Sequence, residues 1–147
     1  MSKGIAIHWF RQDLRITDNP SLETAAEFDA VLPIYILDDE NSQEFKMGSA
    51  SRWWLHNSLQ SLNESLDGKL SIYSQNPEIV IQELLIKYEV KAVFWNRCYE
   101  PWRIDRDIDI KAYLDDKNIE NKSFNSHLLW EPWNISKDDG TPYRVFT

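Results

Sequence analysis

The sequence predicts an α/β fold built on a parallel sheet, from two observations. Five short strand signals alternate with four helical ones along the chain. Two of the strand runs, Ile5–Phe10 and Ala92–Trp95, are almost continuously apolar. Alternation of this kind calls for crossover connections between parallel strands. A strand covered by helices on both faces shows an unbroken apolar run, not an in-and-out alternation. The first and fourth runs are therefore expected at the centre of the sheet. The third and fifth are more polar and are expected at its edges. A chain of 147 residues suits one domain with a real core.

Each element has its own signature. Ile5–Phe10 is the first strand. Asn19 is a good N-cap, Pro20 suits the first helical position, and Leu22, Ala25 and Ala26 make a short apolar stripe. Ala30–Leu37 reads as the second strand. Pro33 cannot donate a ladder hydrogen bond, so either the regular strand starts after it or a bulge accommodates it. A polar loop follows Asp38-Asp39-Glu40 and runs to about Gly48. Ser49 or Ser51 then caps a longer helix whose Leu55, Leu59, Leu62 and Leu66 form one face. Asp67-Gly68 is a turn and Leu70–Tyr73 a third strand. Asn76 and Pro77 open a helix with Ile81, Leu84, Leu85 and Tyr88 on its buried side. After Ala92–Trp95 and a turn at Glu100-Pro101, Ile104, Ile108 and Ala112 predict the buried stripe of a fourth helix ending at Asn118. Ile119–Leu129 holds a weaker fifth strand, and Ser136–Tyr143 has loop chemistry.

Several function classes are excluded or disfavoured. The net charge of −8 makes the domain a poor match for a nucleic-acid backbone, so weak duplex binding is expected. One cysteine, Cys98, allows no internal disulfide, and no cysteine/histidine ligand set exists, so no metal is expected. No signal peptide or membrane-spanning run is recognisable, so a cytoplasmic protein is expected. There is no GxGxxG, no GxxxxGK[ST] and no GxSxG. His8 lies inside a strand and reads as a hydrogen-bonded core histidine.

Ligands of open parallel sheets bind outside the carboxyl ends of the strands, where strand order reverses. Arg11–Arg15 and Asn96–Arg106 follow the two most apolar strands. Adjacent central strands would bring both loops to one crevice. Asp13 and Arg15 read equally as a fold-supporting ion pair or as ligand contacts. The seven tryptophans read as core and interface packing.

Trp9 to Leu22 (WFRQDLRITDNPSL) resembles the WFRxDLRxxDNPAL opening of DNA photolyases and cryptochromes. Further segments are similar to the same family: Pro33–Asp38, Ser51–Leu55, Trp95–Trp102 through Arg106-Asp107 (the WNxxxEPxxxxRD segment), and Thr141–Thr147 (the PYRVFTPF run). The resemblance implies a three-layer Rossmann-like domain with strand order 3-2-1-4-5 across residues 1–147. It implies a light-harvesting antenna chromophore in this domain. FAD, binding of pyrimidine-dimer DNA and light-driven repair would belong to a C-terminal helical domain not included in the chain. A chain stopping at Thr147, inside a family motif, reads as cut there. No catalytic residue is expected in the chain, which alone should repair nothing, and a monomer is expected. The alternative is the same domain in a cryptochrome, a light receptor without repair. An adenine-nucleotide binder of the universal-stress or electron-transfer-flavoprotein type would want a glycine-rich loop, and the four glycines make none.

The resemblance also suggests contacts. Members with a methenyl-folate antenna carry Asn-Glu two residues after the motif's first Glu. Here Trp102 and Arg103 stand there. A deazaflavin or flavin is therefore favoured over methenyltetrahydrofolate. The residues carried over are Phe10 and Arg11 at the end of the first strand, Ile36, Leu37 and Asp38 at the second strand end, and Arg52 at the next helix start. Cys98, Tyr99, Glu100, Trp102 and Arg106 come from the fourth loop. A planar chromophore wants aromatic and aliphatic walls with a few orienting charges. Arg106 reads alternatively as a partner of Asp109, and Glu100 as a helix cap.

Overall fold

Ile5–Phe10 (β1) lies at the middle of a five-stranded parallel sheet of order β3-β2-β1-β4-β5. Its neighbours are Ala30–Leu37 (β2) and Val90–Asn96 (β4), and the edges are Ser71–Ser74 (β3) and Glu120–Phe124 (β5). Four helices connect them: Pro20–Ala25 (α1), Ser49–Ser65 (α2), Pro77–Lys87 (α3) and Pro101–Asp116 (α4). This computed structural model describes residues 2–144. The last three residues of the Thr141–Thr147 motif therefore lie outside the described residues. Among the described residues no helix is long and apolar enough to cross a membrane.

The period-2 geometry of β1 sorts its side chains into two cores. Ile7 and Trp9 join Ile34, Val80, Ile81, Leu84, Trp95, Ile110 and Leu114 on the side of α3 and α4. Phe10 joins Tyr35, Leu55, Leu59 and Leu62 under α2, and Ala6 packs with Ala25, Ala92 and Phe94 by α1. A one-residue slip of β1 would exchange these sets and place Trp9 under α2, so burial on both faces pins the register. Each buried Leu, Ile or Phe contributes roughly 1.5–3 kcal/mol relative to exposure.

Local details depart from expectation in three places. Pro33 sits inside β2 with no bulge, opposite His8. Pairing with β3 begins only at Ile34, so Pro33 occupies a stretch with one unpaired side. α2 is capped by Gly48 rather than by a serine, and its cap makes no side-chain hydrogen bond. On α4 the expected stripe faces outward: Ile104 is 38% and Ile108 58% exposed, and Ala112 is exposed too. The buried side carries Arg106, Asp107, Ile110 and Leu114. α1 and α3 start as their sequences predict, with Asn19 accepting from the Leu22 N–H and Asn76 from the Glu78 N–H.

Candidate functional site

At the carboxyl end of β1 the chain turns sharply around Asp13, which is fully buried. Its carboxylate accepts from the Arg11 backbone N–H at 2.8 Å, from Asn19 Nδ2 at 3.3 Å and from Asn96 Nδ2. Asn19 Oδ1 in turn accepts from Asn96 Nδ2 at 2.7 Å and from the Leu22 N–H at 3.1 Å. This hub ties β1, the α1 cap and the end of β4 together. Asp13 makes no ion pair with Arg15. The Arg15 guanidinium instead donates to the carbonyls of Asp18 and Ser126, at 2.9–3.1 Å. His8 stacks edge-on against Phe10 and shares a 2.9 Å hydrogen bond with Ser21. Burial lowers its pKa to about 4, against the opposing pull of Asp13, so it is neutral at pH 7.

Beside the hub opens a cavity of about 580 Å³. β1 contributes Trp9 and the following Arg11, β2 contributes Tyr35, Ile36, Leu37 and Asp38, α2 contributes Ser51, Trp54, Leu55 and Ser58, and α4 contributes Trp102, Arg103 and Arg106. A line of charge passes from the cavity residues Arg11, Asp38 and Arg106 to Asp107 beside it. Arg11 pairs with Asp107 at 2.7 Å, Arg106 with Asp107 at 3.0 Å, and Arg106 with Asp38 at 2.9 Å. The Arg11 and Arg106 guanidiniums each lie 4.8 Å from the Trp9 ring centroid, and Arg106 also covers Trp102 at 5.3 Å. Burial pulls the Arg11 pKa down and Asp107 opposes it. Burial also raises the Tyr35 phenol, which stays protonated at neutral pH.

The cavity is rich in donors without acceptors. Trp9 Nε1, Arg11 Nε, Arg11 Nη2, Ser42 Oγ and Arg103 Nε are buried and have no hydrogen-bond partner among the described residues, and all five belong to cavity residues. Arg103 Nε has only a long 3.6 Å approach to Glu100. Buried polar groups are nearly always satisfied, and each exception calls for an explanation. A ligand bearing acceptors would supply one here.

Of the residues proposed from the sequence, Arg11, Ile36, Leu37, Asp38, Trp102 and Arg106 line this cavity. Five do not. Phe10 is sealed under α2 behind Tyr35 and Leu55, which line the cavity in its place. Arg52 grips Asp39 at 2.8 Å and the Met47 carbonyl at 3.0 Å, bracing the loop beside the cavity. The loop after β4 is drawn towards β5 instead: Arg97 donates to the Ser123 carbonyl and to Glu131, and Tyr99 donates to Glu131 at 2.7 Å. Cys98 and Tyr99 consequently border a separate, smaller hollow with Trp133. Glu100 takes the N-cap position of α4 without a side-chain cap bond and accepts from Gln12 at 3.3 Å. Arg106 is bound by Asp38 and Asp107, not by Asp109. The crevice thus sits nearer β2 and α2 than the two-loop expectation placed it. Sequence reasoning missed Trp9, Tyr35, Ser42, Trp54 and Arg103 as contacts. Trp54 carried a signal, an aromatic beside the α2 leucine stripe and outside it, and Arg103 another, as part of the pair that departs from the folate pattern.

The chain is a doubly wound α/β domain with a donor-lined cavity at its strand ends, the place where open sheets of this class take ligands. The DNA photolyase family model matches residues 6–147, and the chain belongs to that family. It is 37% identical to a deoxyribodipyrimidine photo-lyase of Agrobacterium fabrum over 96% of its length, which is 30% of that protein. It is 36% identical to cryptochrome-1 of Arabidopsis thaliana over 99% of its length and 22% of that protein. Among solved structures, a class III photolyase from Agrobacterium tumefaciens matches with a TM-score of 0.91 and 35% identity, covering 100% of this chain and 31% of that one. An archaeal photolyase from Sulfolobus tokodaii, described with two FAD molecules and a novel light-harvesting cofactor, matches with a TM-score of 0.77 and 27% identity over 90% of this chain and 32% of that one. The chain is the N-terminal α/β domain of this family and spans under a third of these relatives.

Proposed function

We propose that the cavity holds a planar light-harvesting chromophore, a flavin or deazaflavin, and that it serves FAD in a helical domain of a longer protein that splits cyclobutane pyrimidine dimers in DNA. The observation carrying this reading is the set of five partnerless buried donors around one cavity. An isoalloxazine or deazaflavin ring presents carbonyl and ring-nitrogen acceptors along one edge. The cavity volume of about 580 Å³ suits a tricycle of that size. Trp102, half-buried at the cavity wall, supplies an indole for stacking, worth about 0.5–1.5 kcal/mol beyond burial. Trp102 and Arg103 replace the Asn-Glu pair that the folate-binding members present. The two FAD molecules described for the Sulfolobus relative support a flavin.

Titration of the chain with FMN, a deazaflavin and methenyl-folate tests the reading, with absorbance and tryptophan fluorescence as readouts. FMN or the deazaflavin is expected to bind. Trp102→Ala should weaken binding about tenfold through lost stacking and burial. Tyr99→Phe, outside the cavity, should leave binding unchanged. Folate binding together with no binding of either tricycle would overturn the assignment. Photolyase and cryptochrome relatives match almost equally well, at 37% and 36% identity. Dimer repair by the longer protein decides between an enzyme and a light receptor.

A further inference from the structure

We infer that the smaller hollow beside α4 is a second ligand site, for a small organic acid whose apolar body enters the hollow and whose carboxylate meets Lys111 and the Trp95 indole N–H. No residue lines both this hollow and the chromophore cavity, and the inference does not rest on the reading of that cavity. The hollow has a volume of about 120 Å³. A cavity of about 150 Å³ takes a benzene molecule, so this one suits a single ring or a short branched chain. Ile104 and Ile108 of α4, Tyr99 and Trp133 supply its walls, and the buried Trp95 closes its inner end. Ile108 and Trp133 are each 58% exposed, so the mouth is open to solvent.

The polar groups of the hollow are out of balance. Trp95 is fully buried, and its Nε1 has no hydrogen-bond partner among the described residues. A buried donor of this kind calls for an acceptor. Lys111 and Arg97 meanwhile converge on one neutral hydroxyl: Ser123 Oγ accepts from Lys111 Nζ at 2.9 Å and from Arg97 Nη1 at 3.2 Å. The neighbouring acids are committed elsewhere. Glu131 holds Arg97 at 2.6 Å, and the two oxygens of Asp107 hold Arg11 and Arg106. Lys111 is left with a hydroxyl and no ion pair among the described residues, in a chain of net charge −8. Burial, and after it the charge of Arg97, pull the Lys111 pKa down. An anion in the hollow would offset the repulsion between the two cations. The Lys111 ammonium lies 5.7 Å from the Trp95 ring centroid, so one carboxylate can reach both donors with its two oxygens. The unpaired cation selects an anion, and the apolar walls select an organic anion over an inorganic one.

Proton–nitrogen correlation NMR of the chain resolves the tryptophan indole N–H signals one by one and tests the site. The probes are sodium benzoate, benzyl alcohol and sodium phosphate, titrated at constant ionic strength. Benzoate is expected to move the Trp95 indole signal with a Kd of about 1 mM, ordinary for a ligand this small. Benzyl alcohol has the same ring without the charge and should bind about fivefold more weakly, while phosphate should leave the signal in place. Lys111 is only half-buried, so Lys111→Met keeps the stem and removes the charge without opening the core. That variant should bind benzoate no better than benzyl alcohol, and Lys111→Arg should keep the preference. Backbone signals away from the hollow report that each variant is folded. Equal affinities for benzoate and benzyl alcohol in the native chain overturn the site. So does a preference that survives Lys111→Met, or phosphate matching benzoate. A Trp95 signal unmoved well above the expected Kd does the same. Shifts confined to the Trp9 and Trp102 indoles would place the acid in the larger cavity and overturn the second site as well.

Discussion

Two polar clusters stand side by side at the carboxyl end of β1, and they differ in how their hydrogen bonds are spent. In the Asp13 hub three donors converge on one carboxylate, and Asn19 and Asn96 interlock behind it; Asn96 Oδ1 alone lacks a partner. In the cavity line, Arg11 and Arg106 are paired with acids, yet Arg11 keeps two buried nitrogens unsatisfied and Ser42 its hydroxyl. The near-closed network has all its donors spent and only the Asn96 Oδ1 acceptor open, and so reads as structure. The open one retains donors whose desolvation is uncompensated in the protein alone. Both clusters are buried and charged, so burial does not tell them apart. Satisfaction does.

The sharpest way to break the comparison is to remove the hub. Asp13→Ala deletes a buried carboxylate, leaves the Arg11 N–H without its acceptor and takes one of two acceptors from each of the Asn19 and Asn96 amides. A loss of about 4 kcal/mol is expected in urea unfolding, with the m-value unchanged. A loss below about 1 kcal/mol would mean that the hub is dispensable and that its closure says nothing about its role.

A second effect comes from His8, next to the hub. Its folded-state pKa of about 4 lies below the ordinary 6.5 because burial outweighs the attraction of Asp13. The unfolded chain therefore takes up a proton first as pH falls. The contribution to stability is fully present above pH 6.5 and is lost between 6.5 and 4, by about 3 kcal/mol. His8→Gln should flatten the acid limb of a stability–pH curve relative to the native chain. An unchanged limb in that variant would assign the loss to other groups.

The sequence made the sheet legible for a physical reason: burial on both faces forces continuous apolar runs, and these identified β1 and β4 as central and β3 and β5 as edges. Asn19-Pro20 and Asn76-Pro77 announced their helices because capping is local chemistry. The Trp9–Leu22 motif pointed to the correct end of the sheet. The cavity itself was only partly legible. Ser42 lies in a loop without periodicity, so no pattern could select it. Cys98, Tyr99 and Glu100 were carried over with the WNxxxEPxxxxRD resemblance, but Arg97 and Tyr99 follow Ser123 and Glu131 towards β5. That pull comes from residues about 25 to 35 positions further along the chain. Nothing local to the motif encodes it.

α4 shows the same limit most plainly, and it carries the smallest predicted effect. Ile104, Ile108 and Ala112 repeat every four residues and mimic a buried stripe. The helix instead turns Arg106 and Asp107 inward, because Asp38 and Arg11 across the sheet offer them partners at 2.7–2.9 Å. Once those two charges are buried, the 3.6-residue period carries Ile110 and Leu114 into the core and leaves the isoleucine row on the far side. The charge line thus sets the rotation of the helix, against the simplest reading of its apolar pattern. Ile108→Ser should therefore change stability by less than about 0.5 kcal/mol, as exposed substitutions do. Ile110→Ala, two residues on, should cost about 3 kcal/mol through the cavity it leaves. Parallel urea titrations of the two variants measure the difference. Equal losses would show that α4 packs through its isoleucine row and that Arg106 and Asp107 do not set its orientation.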